Sequence, residues 1–449
     1  MTDLDTGIGM PPSDEDTVID AADVRPLVAD GKPAGAPDSV SFGKLTDEAF
    51  DRSRARLGVP QPLQRFPHNL EVTRDGARHF AHSYGDDNPL YSDPDYGKQT
   101  CWGTLIAPPG FMYTMGEDAA RQPDAETRAL LKGDPFAGLG SYQAVMEFEW
   151  FRPLVLGDTC KLLVTQVGVQ EKPSRFGGRT AHVTRDFLYA NGDGEVHAIR
   201  RGTWINAERS ATRERGRRAP DVAPAPYGDE LLAEIDAAYE AETRRGGQPR
   251  YWEDVQPGDE LPPRVKGPLV TTDIVVWHIG WGMQLTPPGA FRLSYRTRKK
   301  APGLYPANHL NIPDTVQRLH WEPERAQELG LATSYDYGAM REIWMTHTIT
   351  DWMGDDAWLA VMRCEHRKFN YVGDTTWING RVVDKRVDGA HHVVDLELIC
   401  SNQRGEVTTP GTATVILPSR AHGPVTLPDP PAETLDGVVE AELRRFSID

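Results

Sequence analysis

Asn191-Gly192-Asp193-Gly194-Glu195-Val196 returns in the second half of the chain as Asn402-Gln403-Arg404-Gly405-Glu406-Val407. One such match is ordinary turn chemistry, because Asn and Gly favour tight turns wherever they occur. Two further echoes precede it in the same order. Arg152 through Gly157-Asp158-Thr159 lines up with Arg367 through Gly373-Asp374-Thr375, and Tyr91-Ser92-Asp93-Pro94-Asp95 with His320-Trp321-Glu322-Pro323-Glu324. An ordered set at similar separations predicts an internal duplication, and the fold is read as two copies of one unit.

Composition limits what that unit can be. A chain of 449 residues suits two domains plus tails, and 39% hydrophobic with 8% aromatic residues supports packed cores. With 49 Lys and Arg against 66 Asp and Glu, the net charge of −17 repels a phosphate backbone, so no nucleic-acid partner is expected. No run approaches the ~20 apolar residues of a membrane span, and the acidic start MTDLDTGIGMPPSDEDTVID does not read as a leader. Cys101, Cys160, Cys364 and Cys400 lack CxxC spacing and suit reduced thiols, hence a cytoplasmic protein.

Local patterns divide the chain. Residues 1–41, rich in Asp, Pro, Ala and Gly, read as a flexible arm. A helix is expected from Thr73, which can cap it, with Ala77, Phe80, Ala81 and Tyr84 on one face. Another should start near Pro109 and carry Phe111 and Met112, after which strands dominate, Met146 to Trp150 among them. The expected division is a first unit over 42–215, a linker with a helix over 216–250, a second unit over 251–420 and a tail over 421–449. The second unit alone inserts about thirty residues between Met283 and Leu319-His320, including Arg292, Arg296, Arg298, Lys299 and Lys300. That stretch reads either as a solvated loop or as a basic patch receiving the phosphates of an acyl carrier.

The stretch Gly85-Asp86-Asp87-Asn88-Pro89-Leu90-Tyr91-Ser92-Asp93-Pro94 resembles the signature of the MaoC-like hydratases and dehydratases, Asp-x-Asn-Pro-Ile/Leu-His followed by an acidic residue and Pro. Ile106-Ala107-Pro108-Pro109, Tyr251-Trp252-Glu253-Asp254-Val255 and Asp351-Trp352-Met353-Gly354-Asp355 look like its two-domain members with a FAS1-like dehydratase first half. The resemblance implies an α+β fold, a tandem double hotdog in which each unit wraps an antiparallel sheet around a central helix. It also implies water addition to, or removal from, an enoyl or 3-hydroxyacyl thioester linked to coenzyme A or a carrier protein. That chemistry needs an acid–base group at the β- and α-carbons and a fixed N–H for the developing enolate.

Each half holds part of the implied set. The first keeps Asp86, Asn88 and Pro89, with Tyr91 in the histidine position and Pro109-Gly110 where the family has His-Gly. The second keeps His320 and has Tyr337-Gly338 at His-Gly, but Thr315 stands five residues before His320 where an Asp belongs. Asp314 is the expected substitute and Asp336 a second candidate. The expected catalytic set is therefore His320, Asp314 and Gly338, with Tyr337, Asp336, Asp86, Asn88 and Tyr91 lining the substrate. Asp273 and His278 share the spacing within a predicted helix and read as coincidence. His391-His392 has no third ligand at metal spacing, so neither zinc nor another cofactor is expected. A hotdog thioesterase and a non-catalytic acyl-thioester binder are the alternatives, and a homodimer is expected.

Overall fold

The computed structural model describes residues 43–63, 67–119, 123–174, 178–208, 225–283 and 289–431. The proposed arm over 1–41, residues 216–224 of the linker and 432–449 of the tail lie outside the described residues. Helix α1 spans Asp47–Arg54, and α2 spans Arg74–His82 with the Thr73 side chain accepting from the Gly76 N–H, the cap its sequence predicts. Helices α3 (Asp229–Glu240), α4 (Thr271–Trp281) and α5 (Arg292–Lys300) follow, then the long α6 (Gly338–Met353).

The strands are β1 (Glu117–Asp118), β2 (Gly140–Trp150), β3 (Lys161–Ser174), β4 (Gly178–Ala190) and β5 (Val196–Ala207) in the first half. In the second they are β6 (Glu260–Lys266), β7 (Trp358–Glu365), β8 (Thr376–Asp388), β9 (His391–Asn402) and β10 (Val407–Ile416). All ten form one sheet, in the order β1-β3-β4-β5-β2-β7-β10-β9-β8-β6. Counted outward from the β2–β7 seam, one side runs 2-5-4-3-1 and the other 7-10-9-8-6. The duplication is thus written into the topology, and joining the two sheets covers what would otherwise be two exposed edges. The seam is antiparallel, with Val145 opposite Glu365 and Glu149 opposite Val361.

The sequence echoes are backbone echoes. The Asn191 side chain accepts from the N–H groups of Asp193 and Glu195, and Asn402 does the same for Arg404 and Glu406. Asp158 accepts from the Val155 N–H at 2.7 Å and Asp374 from the Tyr371 N–H at 2.9 Å. Tyr91 and His320 each end a 3-10 turn, and the next residues, Ser92 and Trp321, share φ of −137° and −138°.

The two central segments differ. In the second unit α6 is buried along nearly its whole length, packed on β6 to β9 of its own half. In the first, Pro109–Thr114 is a six-residue 3-10 helix that ends at an extended Met115 and the positive-φ Gly116. The expected start at Pro109 is there, but the long helix is not. Gly110 lies against α6, where a Cβ would fall 2.1 Å from Ile343 Cδ1.

Candidate active site

His320 sits at the end of the second unit's 3-10 turn, 6% exposed. Its Nδ1 lies 2.8 Å from the Tyr335 carbonyl oxygen. A carbonyl only accepts, so Nδ1 carries the proton and Nε2 is the basic nitrogen. Burial pushes the imidazole down to about 4, so the ring is neutral near pH 7. The ring stacks on Tyr337 with centroids 3.8 Å apart, and Tyr335 flanks it at 4.7 Å. Tyr337 precedes Gly338, which opens α6. There the first N–H groups have no intrahelical acceptor and the helix dipole favours negative charge.

Gly338 is a glycine for a steric reason that reaches across the halves. A Cβ there would stand 2.8 Å from Gln143 Oε1 of β2 and 3.2 Å from His366 Nε2. One turn on, the buried Glu342 accepts from the Tyr113 hydroxyl and the Gln143 amide and pairs with His366 Nε2 at 2.9 Å. This network fixes the start of α6 against β2 and β7.

Neither expected carboxylate is directed to His320. Asp314 turns onto the Thr315 N–H at 2.7 Å. Thr315 in turn accepts from the Gln317 N–H, as Asn88 accepts from the Leu90 N–H in the first loop. Thr315 therefore occupies the capping place of Asn88, and Asp314 matches Asp87 rather than Asp86. The second loop has two more residues in its 3-10 turn (Val316–His320 against Pro89–Tyr91), so the two loops are not in register at a five-residue spacing. Asp336 is buried, but its carboxylate faces Arg341 Nε at 2.8 Å and accepts from Asn370 at 3.3 Å. Burial lifts its carboxyl to about 7 against the pull of Arg341. His278, set aside as coincidence, is part of the arrangement: its Nε2 is 3.1 Å from the Tyr337 hydroxyl, which also donates to Gln317 at 3.0 Å.

The first loop makes a different site. Asp86, 1% exposed, accepts from the Asn88 N–H at 2.9 Å and from the Tyr84 hydroxyl at 3.2 Å, and burial raises its carboxyl. Its Oδ1 is 3.8 Å from His347 Nε2, which approaches Asp351 at 3.2 Å. Lys266 Nζ meets His347 Nδ1 at 3.1 Å, and Arg264 bridges Asp351 and Glu242. Burial holds His347 well below the usual histidine range and Lys266 at about 8. Asn88 donates to Asp355 at 2.8 Å. Asp86 therefore has a histidine after all, supplied by the middle of α6, but the pair is enclosed by charges that bind the first loop to the second unit.

Tyr91 lines an apolar pocket of about 40 Å³ together with Trp102, Pro109, Met112, Trp150 and Trp358. That pocket opens at the first loop and not at His320, whose ring is covered by Tyr337. Among the described residues two triads bring three metal-ligating atoms close together, Asp86/His347/Asp351 and Glu342/Cys364/His366. In the first, Lys266 and Arg264 already occupy ligand atoms, and two resident cations oppose a third. In the second, Glu342 already accepts from three donors. Among the described residues no helix is long and apolar enough to cross a membrane.

The chain is similar to known proteins over parts of its length. The family described as FAS1-like, dehydratase domain region matches residues 65–200. A UPF0336 protein of Thermobifida fusca is 35% identical over 106 residues, 22% of this chain and 64% of that protein. A UPF0336 protein of Parafrankia sp. is 30% identical over 133 residues, covering 29% of this chain and 79% of its own length. A probable enoyl-CoA hydratase alpha subunit of Thermomonospora curvata is 27% identical over 177 residues, 38% of this chain and 54% of that one. The chain thus spans between about half and two thirds of the first curated relatives it matches. A solved MaoC-like dehydratase superposes with a TM-score of 0.54 at 17% identity, over 81% of this chain and 99% of its own. The chain belongs to the UPF0336 family and carries a FAS1-like dehydratase domain region over residues 65–200, on a double hotdog fold shared with a solved MaoC-like dehydratase.

Proposed function

We propose that the protein adds water to, or removes it from, an enoyl or 3-hydroxyacyl thioester, with units over 42–215 and 251–420 and the chemistry in the second. The observation that carries this is His320: a neutral imidazole with a defined tautomer, stacked on the residue that opens α6. In hydration, Nε2 takes a proton from water as the oxygen bonds to the β-carbon. The thioester oxygen gains charge and is met by the Gly338 N–H at the helix start. The imidazolium then returns its proton to the α-carbon, and dehydration is the reverse. With Asp314 and Asp336 engaged elsewhere, one group performs both transfers. Tyr337 must turn aside to admit substrate, since it lies over the ring.

A second reading, a non-catalytic acyl binder, is favoured by one observation: the apolar pocket lies at Tyr91, where the family histidine is missing. Mixing the protein with crotonyl-coenzyme A separates the readings. Loss of the enoyl absorbance without free thiol supports hydration. Release of free thiol would make it a thioesterase, and saturable binding with neither change would make it a binder.

A further inference from the structure

Helix α5, present only in the second unit's insertion, is unusual in this acidic chain. Arg292, Arg296, Lys299 and Lys300 fall at helical spacing on one face, and Arg298 lies on the half-buried side away from them. None of the five makes an ion pair or a side-chain hydrogen bond among the described residues; Arg298 and Lys299 only approach the Tyr295 ring, at 5.3 and 5.6 Å. No residue of α5 is buried, and Phe291, Leu293 and Tyr295 are 94%, 57% and 48% exposed. A helix of this length without packing is marginal in water. The basic face therefore has charge to satisfy and the helix has support to gain.

The insertion is rooted at the candidate site from both ends. Before it, Trp281 packs on Tyr337 with centroids 5.1 Å apart. After it, Gln317 accepts from the Tyr337 hydroxyl, and Arg318 donates to the Pro306 and Ala307 carbonyls at 2.8 Å. We infer that the basic face of α5 docks an acidic carrier protein that bears the thioester and presents it beside Tyr337 and His320. This rests on the proposed hydratase reading for its purpose, but the docking can be measured apart from turnover.

Shape and charge favour this occupant. The cations from Arg292 to Lys299 stretch over about 10 Å of a convex, exposed helix. Nucleotide phosphates are gripped where donors converge, whereas a linear stripe matches an extended acidic surface. A lipid surface needs a continuous apolar face. Here Leu293 projects away from the Phe291–Tyr295 edge, since residues two apart do not share a side. The chain as a whole carries −17, so a concentration of cations such as this one is set apart from the net charge around it.

The test uses the full chain, crotonyl-coenzyme A, and a purified acidic acyl carrier protein loaded with a crotonyl-phosphopantetheine group. The variant is Arg292→Glu/Arg296→Glu/Lys299→Glu, with the corresponding triple Gln variant alongside. The expected result is a Kd for the loaded carrier weakened about tenfold or more by charge reversal and less by Gln. Wild-type binding should also weaken as salt rises. The KM for crotonyl-coenzyme A and kcat should stay within about twofold, because α5 lies outside the chemistry. An equal rise in KM for crotonyl-coenzyme A would overturn the inference in favour of coenzyme phosphates. Unchanged carrier binding would overturn it too. If charge reversal then abolished sedimentation with phosphatidylglycerol vesicles, or altered the oligomeric state, the face would belong to a membrane or a second copy. Carrier binding lost on reversal, in a protein that hydrates neither thioester, would uphold the docking and remove the hydratase reading instead.

Discussion

Replacing Arg264 by Met tests how much the charge cluster behind Asp86 stabilises the fold. The Arg264 side chain is 6% exposed and pairs with Glu242 at 2.5 Å and with Asp351 on α6. Removing one member of a buried pair strands the other charge, which costs about 3–5 kcal/mol. The loss should also grow with pH. Burial already raises Asp351 to about 7, and Arg264 is the largest influence pulling it down. Well above pH 7 the wild type holds Asp351 ionised in both the folded and unfolded states, so its contribution levels off. In the variant the folded state keeps a proton that the unfolded state has lost. Stability then falls by about 1.4 kcal/mol for each pH unit above 7. Lys266 acts in the same direction. Burial, then Arg264, depress it to about 8, which adds stability as pH rises through that value, and the variant forfeits part of that gain. Guanidinium unfolding of both proteins at pH 7.0 and 8.5 reads the difference. A gap under about 1 kcal/mol at the higher pH, far below the cost of a broken buried pair, would refute the reasoning. So would a gap that fails to widen between the two.

Gly110→Ala should lower stability by about 1–3 kcal/mol, because its Cβ would fall 2.1 Å from Ile343 Cδ1; an unchanged melting temperature would mean that α6 shifts freely. Tyr91→Phe removes a hydroxyl bonded to Thr350 and should cost about 1 kcal/mol while leaving kcat within about twofold. A collapse of turnover there would move the chemistry to the first loop. Asp314→Asn should likewise leave kcat within about threefold, since its carboxylate only caps the Thr315 N–H; a loss as large as that of a His320 variant would make it the partner acid. Finally, kcat/KM should hold as pH falls from 7 to 5.5 and fail only toward about 4, where the buried His320 takes up a proton and ceases to be a base. An acid limb centred near 6.5 would show a solvated histidine instead.

Features carried by contiguous residues were legible in the sequence. The Thr73 cap, the Asn191 and Asn402 turns and the Pro89–Tyr91 loop each fold on hydrogen bonds spanning two to four residues. Their ordered recurrence was enough to identify two units. What escaped was whatever depends on distant pairing. Asp86 meets His347 261 residues later, and α6 is buried all round, so no amphipathic stripe marks which of its residues face the first unit. Glu342, Gln143 and His366 come from three separate elements and share no spacing. His278 looked accidental because its partner, Tyr337, is 59 residues away across the insertion. The choice of Asp314 rested on counting back five residues, which assumes a 3-10 turn of constant length, and the second loop lengthens it.

The central claim is that one neutral imidazole at the head of α6 performs the proton transfers. Its most direct test is steady-state hydration of a crotonyl thioester by the wild type and by His320→Asn. Asn retains a donor for the Tyr335 carbonyl and lacks the base at Nε2. The account predicts a fall in kcat of about a hundredfold or more with melting behaviour preserved. A variant that keeps kcat within about threefold of the wild type would contradict it.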